Sequence, residues 1–210
     1  MLVDPNIIKT LLVERNITIT GVLHLGAHEC EEMPFYQNFL GLSPNDILWI
    51  DGNEEKVREC NTKGIPNVHH AVITNKDGDT VDFHIANNGQ SSSILEMNTH
   101  LKQYPYIFYV NQVKQKTVTL DTFFDFVGTD TKKYSFWNLD IQGAELLALH
   151  GATKSIQNAK VIYLEVNVDE LYKDCARIDQ VDEFMCANGF ERVHLTMSQY
   201  GWGDAIYIRA

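Results

Sequence analysis

The chain has 210 residues, 44% of them hydrophobic and 21% charged, which suits one ordinary domain with its own core and excludes a disordered or fibrous chain. Its net charge of −11, with 17 basic residues scattered among 28 acidic ones, excludes nucleic acid or an anionic membrane surface as the main partner, because such binders gather Lys and Arg on one face. Cys30, Cys60, Cys175 and Cys186 form no C-x-x-C pair, no apolar run approaches the ~20 residues of a membrane span, and no secretory signal opens the chain, so a cytoplasmic setting with reduced thiols is expected.

A single domain is expected over residues 1–210, with 1–20 as a helical lead-in. Asp4 can cap a helix, Pro5 suits its first position, and Ile7, Ile8, Leu11 and Leu12 recur on one face. Residues 22–25 then read as a strand ending at Gly26, and 31–40 as a helix. A second strand over 47–50 precedes a charged helix over 54–63. Residues 67–73 read as a third strand, and 80–86 as another after the Asp77-Gly78 turn signal. Further on come a strand over 136–141, a helix over 144–156, a strand over 161–166 and a helix over 178–188 stopped by Gly189. Residues 190–196 and 205–208 alternate and form a hairpin around Gly201-Trp202-Gly203. The pattern predicts an α/β fold: a Rossmann-like, doubly wound, mostly parallel sheet of about seven strands with a C-terminal antiparallel hairpin. Ligands in such a sheet bind at the carboxyl ends of the strands.

Gly26 stands where the first strand passes to a loop, so the backbone there can approach a ligand closely. The loop runs on as Ala27-His28-Glu29-Cys30-Glu31-Glu32, without the further glycines of a dinucleotide fingerprint. A pyrophosphate would meet its carboxylates, which argues against a nicotinamide cofactor. Asp51 ends the second strand, where a carboxylate accepts the hydroxyls of a ribose or caps the next helix. The most distinctive run is Asn138-Leu139-Asp140-Ile141-Gln142-Gly143-Ala144-Glu145, a polar cluster at a strand end with a glycine opening the helix.

This run resembles the Asp-x-Glu/Gln-Gly-Ala-Glu signature of the FkbM family of methyltransferases. The resemblance extends along the chain. Leu25-Gly26-Ala27-His28 is similar to the family's Gly-Ala-His/Asn loop, and Asp51-Gly52-Asn53 sits where it has Glu-x-Asn. Asn87-Asn88-Gly89-Gln90-Ser91-Ser92-Ser93 looks like its Asn-rich triple-serine segment. Thr119-Leu120-Asp121, Leu164-Glu165-Val166-Asn167 and Gly201-Trp202-Gly203-Asp204-Ala205 match further motifs in the same order. The chain departs from the family at Asp51, shorter than the usual Glu, and at Asn138 and Gln142, where many members carry Lys and Glu.

The resemblance implies a class I fold and methyl transfer from S-adenosylmethionine to a hydroxyl of a sugar or glycan. That cofactor has an amino group and a sulfonium but no phosphate, so an acidic loop is tolerable. Expected at the cofactor are Gly26, Ala27, His28, Asp51, Gly52, Asn53, Ala71, Val72, Asp140 and Gln142. Asp140 and Glu165 are the expected catalytic pair, with Asp140 nearest the methyl and Glu165 as base or orienting group. Asn88, Ser91, Ser92, Ser93, Glu145, Asn167, His194 and Trp202 are expected at the acceptor. The aromatic stretch 104–109 either walls the acceptor pocket or packs in the core. No metal is expected; a divalent ion on Asp140, Glu145 and Glu165 is a minor alternative. Competing readings are an inactive cofactor-binding module in a glycan-building assembly and a methyltransferase acting on a small natural product. Acceptor identity and oligomeric state stay open.

Overall fold

The computed structural model describes residues 1–210. Helix α1 (Pro5–Glu14) starts as its residues dictate: Asp4 accepts the Asn6 N–H at 2.8 Å and Pro5 takes the first position. Strand β1 (Val22–Leu25) follows, then α2 (Met33–Asn38), β2 (Ile47–Asp51), α3 (Glu54–Thr62) and β3 (Val68–His70). A separate group comes next: β4 (Val72–Ile73), β5 (Thr80–Ala86), α4 (His100–Gln103) and β6 (Tyr109–Val118). Helix α5 (Leu120–Val127), capped by Thr119, leads to β7 (Phe136–Leu139), α6 (Glu145–His150), β8 (Val161–Asn167), α7 (Ile178–Ala187), β9 (Phe190–Met197) and β10 (Trp202–Arg209).

Seven strands form one sheet in the order β3-β2-β1-β7-β8-β10-β9. All its pairs are parallel except those of β10, which runs antiparallel to both β8 and β9. The central strands are buried along their whole length, as a sheet covered on both faces requires. Alternate residues divide between two cores. Leu23, Leu25, Leu48, Ile50, Trp137, Leu139 and Ile162 pack on one face; Val22, Ile47, Trp49, Phe136, Val161 and Tyr163 pack on the other. No helix is long and apolar enough to cross a membrane.

The expected α/β sheet with its terminal hairpin is therefore present, with several corrections of detail. The third strand is two. β3 pairs with β2, but Ala71 leaves the ladder, and β4 pairs instead with β6 in a second sheet of order β4-β6-β5. β6 and α5 were not expected. β6 is mostly polar and exposed because it pairs with β5 from Thr80–Lys116 to Ala86–Tyr109 on the rim, so no apolar periodicity marks it. The helix over 144–156 stops at His150, and a 3₁₀ turn over Ser155–Asn158 replaces its end. Gly151 lies against the Thr74 carbonyl, where a Cβ would sit 2.1 Å away. Trp202 and Gly203 belong to β10, not to the hairpin turn.

Gly26 fixes how the site is assembled. Its φ is 88°, and a Cβ there would lie 1.8 Å from the Asp140 carbonyl oxygen. Just beyond the paired ends of β1 and β7, Gly26 thus passes the Asp140 carbonyl at a distance that only glycine permits. Gly41 also has a left-handed φ, 71°, but a Cβ there would meet nothing within 4 Å. Gly41→Ala should cost about 1–2 kcal/mol, the conformational penalty alone. Gly26→Ala should exceed that by at least ~2 kcal/mol in urea unfolding, because a backbone atom must move. Equal losses would show that no steric crossing restricts position 26.

Candidate active site

Two cavities meet where β1, β2, β7 and β8 end. The first lies against β2 and is lined by Gly26, Asp51, Gly52, Val72, Phe83 and Ile141, with Ala71, Ser92 and Ser93 at its edge. Asp51 organises it. One carboxylate oxygen accepts the His28 N–H and the other accepts the Asn53 N–H, both at 2.7 Å. These bonds tie the β1 loop to the β2 loop and leave further lone pairs on each oxygen. Burial pushes the Asp51 carboxyl above its ordinary value, and the two N–H bonds oppose that shift. At Gly52 a side chain would meet the Phe83 ring at 2.4 Å, so β5 closes tightly over this end.

The second cavity is a crevice of about 350 Å³ that shares Gly26, His28, Gln90 and Asp140 with the first. Glu31, Glu32, Glu165 and Asp204 face it, with Ser91, His100, Tyr104, Gln142 and Trp202. Gln142, held at a φ of 56°, bridges two of the acids. Its amide nitrogen donates to Asp140 at 2.6 Å and to Glu165 at 3.2 Å, while its oxygen accepts the Tyr172 hydroxyl at 2.6 Å. Asp204 stands directly across from Glu165 in the β8–β10 register and accepts from Tyr163 and the Leu2 N–H.

The acids crowd one another. Asp140 is exposed where it opens on the crevice; displacement of water by the surrounding protein, then the nearby Asp204 carboxylate, pushes it up to about 6. Glu165, 7% exposed, is pushed well above its ordinary value by burial and then by Asp140, Glu145 and Asp204. Burial likewise pushes Glu145 to about 7, against the pull of its backbone bonds. Its Oε1 accepts the Ile141 N–H at 2.8 Å and the Gly143 N–H at 3.2 Å. Glu145 therefore braces the loop from below and does not converge with Asp140 and Glu165 on a common point.

Not every expected residue reaches these cavities. Gly26, His28, Asp51, Gly52, Ala71, Val72 and Asp140 line the first; Gln142 lines only the crevice. Ala27 is packed in the core, and the Asn53 oxygen caps α3 by accepting the Glu55 N–H at 3.1 Å. Ser91 and Trp202 face the crevice, whereas Ser92 and Ser93 face the first cavity. Ser93 donates to the Gln142 carbonyl at 2.8 Å, which couples the serine loop to the acid cluster. Asn88 folds back on Ser91. Asn167 is buried at the β8 end and does not line the crevice. His194 lies on β9 beside Thr196, away from the site.

Residues that sequence reasoning left out are His100, Glu31, Glu32 and Asp204 as crevice groups. Asp204 was inside a recognised motif, and its hairpin register against Glu165 is the signal that would have found it. His100 lies in a short helix with no motif around it. Asn138 proves to be internal: it donates to Tyr36 at 2.8 Å, and Tyr36 in turn bonds His24 at 2.9 Å. Burial pushes His24 down to about 3, so this relay carries no charge.

Comparison with known proteins agrees with this architecture. The chain is 27% identical over 156 residues to the 2-O-methyltransferase NoeI of Sinorhizobium fredii (strain NBRC 101917 / NGR234). That match covers 69% of this chain and 63% of NoeI, so the chain spans less than two thirds of the relative's length. The crystal structure of methyltransferase FkbM from Methylobacillus flagellatus KT superposes with a TM-score of 0.52 at 14% identity, covering 91% of this chain and 44% of that one, which shows a shared fold. Residues 24–192 match the family model described as the methyltransferase FkbM domain, and the chain therefore belongs to the FkbM family of S-adenosylmethionine-dependent methyltransferases.

Proposed function

We propose that the protein transfers a methyl group from S-adenosylmethionine to a hydroxyl oxygen of a saccharide, in the cytoplasm. The observation that carries this reading is the position of Asp140, the one carboxylate that lines both cavities. The first cavity fits the nucleoside end of the cofactor. Asp51 keeps lone pairs for two hydroxyls, and Val72, Phe83 and Ile141 offer apolar surface to a base. When bound, the cofactor supplies a methyl group already activated on sulfur.

The chain's own residues then have three tasks. The strand ends must hold the acceptor oxygen in line, which is an entropic contribution. The acceptor proton must leave as the new oxygen–carbon bond forms and the sulfur–carbon bond breaks. Asp140, ionised above about pH 6, is placed to take it. Glu165, which holds its proton more firmly, donates to or orients the acceptor, and Gln142 keeps the two carboxyls apart. The 2-O-methyltransferase title of NoeI supports an oxygen acceptor of saccharide type.

Three outcomes test the assignments. Asp51→Ala should weaken calorimetric binding of S-adenosylhomocysteine by roughly 10–100-fold, the worth of hydrogen bonds to a charged group, while Asp51→Glu retains most of it. Unchanged affinity in Asp51→Ala would reject the ribose role. Asp140→Asn should lower transfer of labelled methyl to a panel of monosaccharides by ~10²–10⁴-fold with the fold intact. Normal transfer would remove Asp140 from the reaction.

The third outcome concerns stability. A folded-state carboxyl raised to about 6 binds protons that the unfolded chain has already lost, so its contribution fades as pH rises from about 4 to about 6. His24 works in the opposite sense, adding stability as pH rises from about 3 toward its ordinary value. The slope must therefore be read as a difference. The urea midpoint of wild type should fall more, or rise less, between pH 4 and 6 than that of Asp140→Asn, approximately the window of the shift. Parallel curves would show that Asp140 is not perturbed.

A further inference from the structure

The crevice is lopsided in charge. Five carboxylates line it, from Glu31, Glu32, Asp140, Glu165 and Asp204, and no lysine or arginine side chain does. Met1 also lines it, with its amino group 4.0 Å from Glu32, so one ammonium stands against the five acids. S-adenosylmethionine carries two positive groups and one carboxylate, and only Asp140 among the five also lines the cavity assigned to it. Glu31 is engaged by His28 at 2.6 Å. That leaves Asp204, and Glu32 beyond its single pairing with Met1, as negative charge on the acceptor side that the cofactor does not balance, with the buried Glu165 carboxyl between Asp140 and Asp204.

Two groups on this side have bonding capacity to spare. Glu165 is 7% exposed and has a partner, Gln142, on only one of its two oxygens. His100 is 4% exposed, and its buried Nδ1 has no hydrogen-bond partner. Leaving such groups unpaired is costly, and a donor brought by a ligand removes the cost. Aromatic rings adjoin them. Trp202 donates to the Tyr104 hydroxyl at 3.0 Å, and the Tyr104 ring lies 5.0 Å from that of His100. Aromatic faces attract cations as well as the apolar faces of sugars.

We propose that the acceptor is an amine-bearing hydroxyl compound of the amino-sugar class, its ammonium group held by Glu32, Glu165 and Asp204 while its hydroxyl meets Asp140. The inference rests on the methyl-transfer reading and narrows it: neutral sugars lack the cation, and phosphorylated or uronic sugars place an anion among anions. Like charges in so confined a space are strongly excluded.

The test uses Trp202, the one tryptophan at the crevice; Trp49 and Trp137 are fully buried. S-adenosylhomocysteine binding is measured first by calorimetry, because a chain without that affinity loses both the methyl-transfer reading and this inference. The complex is then titrated with glucosamine, glucose and glucuronate while the Trp202 indole NMR signal is followed. Glucosamine should bind at least about tenfold more tightly than the other two, with affinity falling as salt is raised. Glu32→Gln should remove most of that preference without changing S-adenosylhomocysteine affinity. Equal or tighter binding of glucose or glucuronate overturns the proposal. So does a preference that survives in Glu32→Gln, or a shift with magnesium chloride and none with glucosamine.

Discussion

Where β1 leaves the sheet, Gly26 turns at a φ of 88° so near the Asp140 carbonyl that no side chain fits between them. That contact brings the ends of β1 and β7 together, and the rest of the site is built on the result. Because β7 ends there, Asp140 projects into the seam between the two cavities. Because β1 ends there, its loop swings toward β2 and offers the His28 N–H to Asp51. A wider crossing would separate the carboxylate at the reaction centre from the carboxylate at the nucleoside end. The steric requirement at one glycine thus sets the spacing between binding and chemistry.

Charge at this seam is managed by neutral groups. By the resemblance to the family, many members carry Glu where Gln142 stands and Lys where Asn138 stands. With both charges gone together, the local sum is unchanged, and the structure shows what replaces them. The Gln142 amide donates to both Asp140 and Glu165, which a carboxylate at that position could not do. Asn138 donates to Tyr36 and closes a buried relay with His24, all of it uncharged.

Much of this was legible in the sequence where periodicity was strong. The central strands are buried on both faces and read as unbroken apolar runs, and the terminal hairpin announced itself by alternation. The second sheet was not legible, because β6 pairs on the rim with polar residues facing water, and because Ala71 switches the chain between sheets without a turn signal. At the candidate site, Gly26, Asp51, Asp140 and Glu165 line the cavities, as strand-end positions in this fold lead one to expect. Asn53 and Asn167 have similar positions along the chain, but their side chains lie in a helix cap and in the packed strand end. The residues that were missed depend on register or on long-range approach. Asp204 reaches Glu165 only through hairpin pairing, and His100 reaches the crevice only because α4 folds over it. Sequence spacing carries no information about either.

The shared position of Asp140 also orders the events at the seam. Its carboxyl is pushed up to about 6 by lost water and then by Asp204. A positive charge placed beside a carboxylate favours its ionised form. On the proposed reading, filling the first cavity with a sulfonium therefore converts Asp140 into a better-populated base, and an ammonium on the acceptor side does the same for the acids around it. By linkage, binding of either cation releases protons, and each makes the other's counter-charges more available. Crowded acids that repel one another are in this way the means by which the site responds to its two proposed ligands together.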